Sequence, residues 1–208
     1  MVQGVAGLHD SSFRVEGDRI VAGTYGAAAV AAGGEVLLRG ICPSDLKVPL
    51  EEFQKAGAAV EADEKNRQIR IRMGKRPLPL LIKTEPYPGF PTDLQSPFMA
   101  FLATAQGTSY IEEQVFEGRF ATAKILEQMG AVIRTEDQRA VIEGHYPLKG
   151  AAVNACDLRG GAALMVAALT AEGDTFIGEC HHIERGYEDI CRDMAALGAH
   201  ICWVEKDS

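Results

Sequence analysis

One acid with an unusual entrance, and three arginines with little local reason for their places, are the chain's candidates for chemistry. Asp93 closes the stretch Tyr87-Pro88-Gly89-Phe90-Pro91-Thr92-Asp93. Its prolines fix φ and remove backbone donors on either side of Gly89, which predicts a stiff, extended approach to a helix over Leu94–Ala105. An acid at a helix start is ordinarily a cap. Asp18, Asp93 and Asp157 lie at similar distances ahead of three apolar runs, so capping is the plain reading for all three. The proline-bracketed entrance sets Asp93 apart as a candidate base. Arg119 and Arg185 occupy matching places before second helices, and Arg159 stands at the start of a first helix. A cation opposes the dipole at a helix N-terminus, whereas helix starts and guanidinium forks together suit phosphate or carboxylate. A lone arginine of this kind reads as a surface residue paired with Glu117 or Glu184; three at equivalent corners point to an anion site.

The elements that must position these residues recur. Ile20–Gly33, Leu94–Ala105 and Gly161–Ala171 are small, apolar, helical runs. Each is followed by a strand (Glu35–Ile41, Thr108–Phe116, Asp174–Cys180) and an amphipathic helix (Pro49–Ala56, Phe120–Met129, Tyr187–Leu197). Hairpins then follow over Ala58–Ala62 with Gln68–Met73, and over Ala131–Thr135 with Arg139–Glu143. The third unit ends on one strand, Ala199–Val204, without a partner, so the chain's own N-terminus (Val2–Arg19, read as extended) or a missing segment should complete it. Gly34, Gly107 and Gly173 form one landmark series and Gly57, Gly130 and Gly198 another, each with a period of roughly 70 residues. Trailing glycines suit a left-handed cap. Helices apolar nearly all round are buried on every side. The fold class is therefore α/β, an inside-out barrel of three repeated units with helices inside and sheets outside. It forms a single domain over 1–208 with repeats at about 18–73, 91–143 and 157–204.

Other chemistry is argued against. A net charge of −8 does not make a nucleic-acid surface, and the longest apolar run, Ala162–Ala171, is too short for a bilayer. No charged-then-apolar signal segment opens the chain. Five cysteines without a CxxC pair fit a reduced cytoplasm better than zinc or a disulfide framework. His181, His182 and Glu184 do not make a metal site, because neighbours at a strand end point opposite ways. Cys156 has no base beside it and reads as small and buried. Gly160-Gly161 lacks the dinucleotide spacing, and no cofactor is expected.

Several stretches together resemble the UDP-N-acetylglucosamine 1-carboxyvinyltransferases. They are Phe13–Ile20, Gly23-Thr24-Tyr25, Phe90-Pro91-Thr92-Asp93-Leu94-Gln95, Val115-Phe116-Glu117-Gly118-Arg119-Phe120, Asp157-Leu158-Arg159 and His182-Ile183-Glu184-Arg185-Gly186-Tyr187-Glu188. The resemblance implies the same inside-out barrel. It also implies transfer of the enolpyruvyl group of phosphoenolpyruvate to the 3-hydroxyl of UDP-N-acetylglucosamine, a step of peptidoglycan precursor synthesis. By that likeness Asp93 would deprotonate or hold the sugar hydroxyl, and the backbone at Val115 would contact the nucleotide sugar. Arg159 and Arg185 would hold the phosphate and carboxylate, with Arg119 supporting them. The likeness covers only the C-terminal half of such an enzyme. The family's Lys-Asn pair and the Cys-bearing loop that supplies its general acid match nothing here. The expectation is half a site, with the missing N-terminal half as partner. The alternatives are a non-catalytic module that docks on a separate N-terminal half, or a domain of the enolpyruvyl-shikimate-phosphate synthase type.

Overall fold

The structure, a computed structural model, describes residues 2–204. Residues 2–18 carry no helix or strand and are exposed. Helix α1 (Arg19–Ala32) begins where the Asp18 carboxylate accepts from the amides of Ile20 and Val21, at 2.7 and 3.1 Å. It ends at Gly33, whose φ of +67° suits the left-handed cap. Strand β1 (Glu35–Arg39) follows, then a 3-10 turn at Pro43–Leu46 leading into α2 (Lys47–Lys55). The hairpin β2 (Ala59–Asp63) and β3 (Gln68–Arg72) completes an antiparallel sheet in the order β1-β3-β2.

The second unit opens with β4 (Leu81–Lys83) and a 3-10 turn, Thr92–Leu94, that runs into α3 (Gln95–Leu102). Strand β5 (Thr108–Glu112), helix α4 (Ala121–Gln128) and the hairpin β6 (Val132–Glu136) and β7 (Arg139–Glu143) follow. The sheet order is β4-β5-β7-β6, with β4 parallel to β5 and the other pairs antiparallel. The third unit has β8 (Leu148–Lys149), β9 (Ala152–Asn154), α5 (Leu158–Ala168), β10 (Ala171–Glu172) and β11 (Phe176–Gly178). Two short helices, α6 (His181–Glu184) and α7 (Ile190–Ala196), end it. Its strands pair in parallel as β10 with β8 and β11 with β9.

Helices α1, α3 and α5 pack on one another at the centre, and every residue of α3 is buried. Alanines 27, 28, 100, 162, 163 and 167 face these contacts and let the backbones approach. Gly23 does the same for α1 and the Thr92–Leu94 turn, since a Cβ there would stand 2.4 Å from a Leu94 methyl. The sheets lie outside with one apolar face turned in. Ile69 and Ile71 of β3, Ile111 of β5 and Ile142 of β7 are fully buried, while Arg70 pairs with Glu35 on the outer face of the first sheet. This is the expected inside-out α/β barrel. First and third units are tied by hydroxyls: Tyr187 donates to Thr24 Oγ1 at 2.9 Å, and Tyr25 donates to the Asp193 carboxylate at 2.9 Å. Burial first and Asp193 second push the Tyr25 pKa up, so this link stays protonated.

Several local expectations are corrected. Ala199–Val204 forms no strand: among the described residues no strand pairs with it, and Trp203 and Val204 are exposed. The helix expected over Tyr187–Leu197 starts late, at Ile190, where Asp189 caps it by accepting from the Arg192 amide at 2.9 Å. His181 and His182 sit on a separate helical turn rather than a strand end, and Arg185 ends α6 instead of starting a second helix. The Pro-Gly-Phe-Pro approach is a closed loop rather than an extended run. A Thr84–Phe90 bridge shuts it, and the Glu85 amide donates to the Phe90 carbonyl at 2.9 Å. Of the six landmark glycines, five have positive φ; beside Gly34 it is Gly33 that takes the left-handed position. Among the described residues no helix is long and apolar enough to cross a membrane.

Candidate functional site

The three aligned aspartates part company in the structure. Asp18 and Asp157 are caps, the latter accepting from the amides of Arg159 and Gly160 at 2.8 and 2.7 Å. Asp93 caps nothing. Its Oδ1 accepts from Arg119 Nη2 at 2.5 Å and its Oδ2 from Arg159 Nη2 at 3.0 Å. The acid of unit two is thus a bridge between an arginine ahead of α4 and an arginine in the first turn of α5. Arg159 is the most enclosed of the three, with its side chain 16% exposed. Its Nη1 is buried without a partner among the described residues. A guanidinium with one buried, unused donor edge is prepared for an anion. Asp93 itself is 36% exposed, so the bridge opens to solvent on one side.

Tyr187 lies beside Arg159, and burial is the main cause that raises its pKa. The phenol stays neutral and can only share hydrogen bonds beside Arg159, not add charge. Arg185 is exposed and joins no ion pair among the described residues; the structure does not bring it to the Asp93 bridge. Val115 is half-buried, and its amide donates to Glu113 Oε1 at 3.0 Å.

Glu113 was not singled out from the sequence, and it lies at the centre of the site's framework. It is 1% exposed. Oε1 accepts from Thr84 Oγ1 (2.8 Å) and from the amides of Val115 (3.0 Å) and Phe116 (3.1 Å); Oε2 accepts from Thr92 Oγ1 (2.9 Å). These bonds also end β5 at Glu112, short of the strand expected to reach Phe116. A signal existed: strand alternation puts Ser109 and Ile111 inward, and position 113 shares their side. An ionisable residue with inward parity is a warning of function or of a satisfied network. Gln95, also fully buried, accepts from Ser96 and leaves Nε2 without a partner.

Among the described residues no group of three or more His, Cys, Asp or Glu side chains is placed to hold a metal. The cysteines are unpaired, and Cys156 is exposed, not buried as expected, with its sulfur 3.4 Å from the Asp157 carboxylate. Cys191 is the buried one, and its thiol is pushed up from 9.0 to about 11 by burial first and the Asp189 carboxylate second. At pH 8 that shift lowers its thiolate fraction about 100-fold. Iodoacetamide at pH 8 should label exposed Cys202 well before Cys191, read by peptide mass spectrometry; matching rates would contradict the burial. Because the folded-state pKa is the raised one, the protonated thiol contributes stability in full below about pH 9. That contribution is lost as pH rises towards 11.

One carboxylate thus bridges two arginines from neighbouring units of an inside-out three-unit barrel. The profile of the EPSP synthase (3-phosphoshikimate 1-carboxyvinyltransferase) family matches residues 1–194, and the chain belongs to this family of carboxyvinyl transferases. Within it, a UDP-N-acetylglucosamine 1-carboxyvinyltransferase of Desulfofundulus thermocisternus is 47% identical over 184 residues, covering 88% of this chain and 75% of the relative. The enzyme of the same description from Hyphomonas neptunium is 42% identical over 201 residues, covering 96% of this chain and 47% of the relative. The chain thus spans about half the length of most of the relatives it matches. Among solved structures, the enolpyruvyl transferase NikO from Streptomyces tendae superposes with a TM-score of 0.79 at 28% identity. That match covers 88% of this chain and 43% of NikO. An EPSP synthase from Acinetobacter baumannii shares the fold at a TM-score of 0.65 and 23% identity.

Proposed function

We propose that this chain supplies the C-terminal wall of an active site that moves the enolpyruvyl group of phosphoenolpyruvate to the 3-hydroxyl of UDP-N-acetylglucosamine. The observation that carries the reading is the Arg119–Asp93–Arg159 bridge. In the net reaction the sugar oxygen forms a bond to C2 of the enolpyruvyl group, the C2–O bond to phosphate breaks, and the hydroxyl proton leaves with the phosphate. Asp93 takes or holds that proton. Arg159, with its unused Nη1, and Arg185 receive the phosphate and carboxylate, and Arg119 supports them. The backbone at Val115 meets the nucleotide sugar. Both Asp93 oxygens are engaged by guanidinium groups. Incoming anions compete for those arginines, and the carboxylate is released when the anion arrives. No cofactor is assigned. The free thiols and the absence of a membrane-crossing helix among the described residues support a cytoplasmic place in cell-wall precursor synthesis.

Acid and base must act on the substrate together, and the acid of the family resides in the other half. Phosphate release from phosphoenolpyruvate and UDP-N-acetylglucosamine should be negligible for this chain alone. It should appear when the N-terminal half of a two-domain relative is added. Ordinary turnover by the chain alone would overturn the half-site reading. Association of the halves without turnover would favour the non-catalytic docking module. Turnover with a phosphorylated shikimate in place of the nucleotide sugar would move the substrate class.

A further inference from the structure

We propose that Glu113 is the positioning residue of this half-site, holding the Asp93 turn and the Val115–Arg119 loop in register through one buried carboxylate. The inference deepens the function proposed above and rests on it for the identity of the ligand. Its geometry stands alone. Three chain segments meet at Glu113: Thr84 at the end of β4, Thr92 next to Asp93, and Val115-Phe116 a few residues before Arg119. Thr84 relays the contact further, since its hydroxyl also accepts from the Gln114 amide at 2.8 Å. None of the partners is a cation. They are two hydroxyls and two amides, so this buried charge is held entirely by neutral donors. A residue needed only to fill that space would be apolar. A carboxylate that gathers donors from either side of an ion pair fixes the separation of the pair, here Asp93 and Arg119.

The same bonds set what Val115 can offer. Its amide is turned inward to Glu113, and no hydrogen bond among the described residues reaches its carbonyl oxygen. A ligand that meets this backbone must therefore present a donor, such as an amide N–H or a sugar hydroxyl. Glu113 then governs recognition of the nucleotide sugar, while the anion is left to Arg159, whose place in the first turn of α5 does not depend on Glu113.

The test uses the full chain, wild type and Glu113→Gln, which keeps the size and one carbonyl oxygen but loses the charge and one acceptor. The probes are UDP-N-acetylglucosamine and inorganic phosphate by titration calorimetry, with amide exchange at Val115 and Phe116 and the Arg119 side-chain signal read by NMR. The expected result is faster exchange at both amides and a displaced Arg119 signal. UDP-N-acetylglucosamine binding should weaken by about tenfold or more, as for loss of a charged hydrogen-bonding partner, with phosphate affinity changed clearly less because Arg159 keeps its place in α5. Thr92→Val, which removes the one donor to Oε2, should fall between. Equal weakening of both probes would make Glu113 merely structural and overturn the proposal, as would unchanged amides and Arg119 signal. If the wild-type chain takes up no UDP-N-acetylglucosamine, the proposed function fails. The NMR signals of Glu113→Gln then decide the positioning role: changed, it stands; unchanged, it falls.

Discussion

Replacing Asp93 by alanine should lower phosphate release by the recombined halves by about 10²–10⁴-fold, the usual worth of a positioned general base. It should at the same time tighten the binding of inorganic phosphate to the chain. The second effect separates this base from a cap. Asp93 offsets one of the two positive charges of Arg119 and Arg159 and occupies one donor of each. Removing it leaves two guanidinium groups facing one another with no counter-ion, and a free anion fills that place. A capping aspartate would behave oppositely: its loss would cost helix stability and leave phosphate affinity alone. Asp93→Asn is the companion variant, because it keeps shape and one acceptor while losing charge and basicity. Turnover rates and calorimetric phosphate affinities check both halves of the expectation. Intact turnover in Asp93→Ala would remove the base assignment, and weaker phosphate binding would remove the account of the bridge.

The largest effect on stability is expected at Phe98. It is fully buried in α3, stacks on Phe53 at 4.6 Å between centroids, and meets Phe90 edge-on and Phe101 tilted, each at 4.8 Å. Phe98→Ala should cost about 3–5 kcal/mol, from lost transfer energy and the cavity left behind. At about 2–4 °C per kcal/mol for a chain of this size, the melting midpoint should drop by roughly 6–20 °C. Phe90 belongs to the closed loop that leads to Asp93, so the variant should also loosen the site. Urea midpoints measure the first consequence and phosphate titration the second; a midpoint within experimental error of wild type would refute the packing account.

The parts of the fold carried by long, strongly patterned segments were legible. The three inner helices announce themselves because a run such as Phe98–Leu102 has no polar face to give to water. The hairpins are readable because β3 and β7 alternate cleanly. What was lost depended on partners distant in sequence. Ala199–Val204 has strand-like composition but no paired strand among the described residues, and a strand without a ladder is not one. One loss was local instead: the late helix start at Ile190 turns on a single Asp189 capping bond that composition does not rank. At the site, Asp93, Arg119 and Arg159 stood out because each was poorly explained locally, and the structure joins those three. Arg185 was chosen on the same ground, but its expected helix start is in fact a helix end. Glu113 escaped because Glu112-Glu113 reads as an ordinary charged strand end unless the inward parity is followed to its last residue.

The link between Thr24 and Tyr187, with its neighbour from Tyr25 to Asp193, has a mechanical consequence. The outer sheets do not close the ring between the first and third units; no strand of the sheet β1-β3-β2 pairs with β8 to β11 among the described residues. Outside the α1–α5 packing, two hydroxyl contacts tie that joint in place of a ladder, and hydroxyl contacts yield sooner than a β-ladder. The joint also borders Arg159, because Tyr187 sits against it. If Arg159 takes the phosphate as proposed, an anion bound there would lie across the seam and act as a clasp on the ring itself.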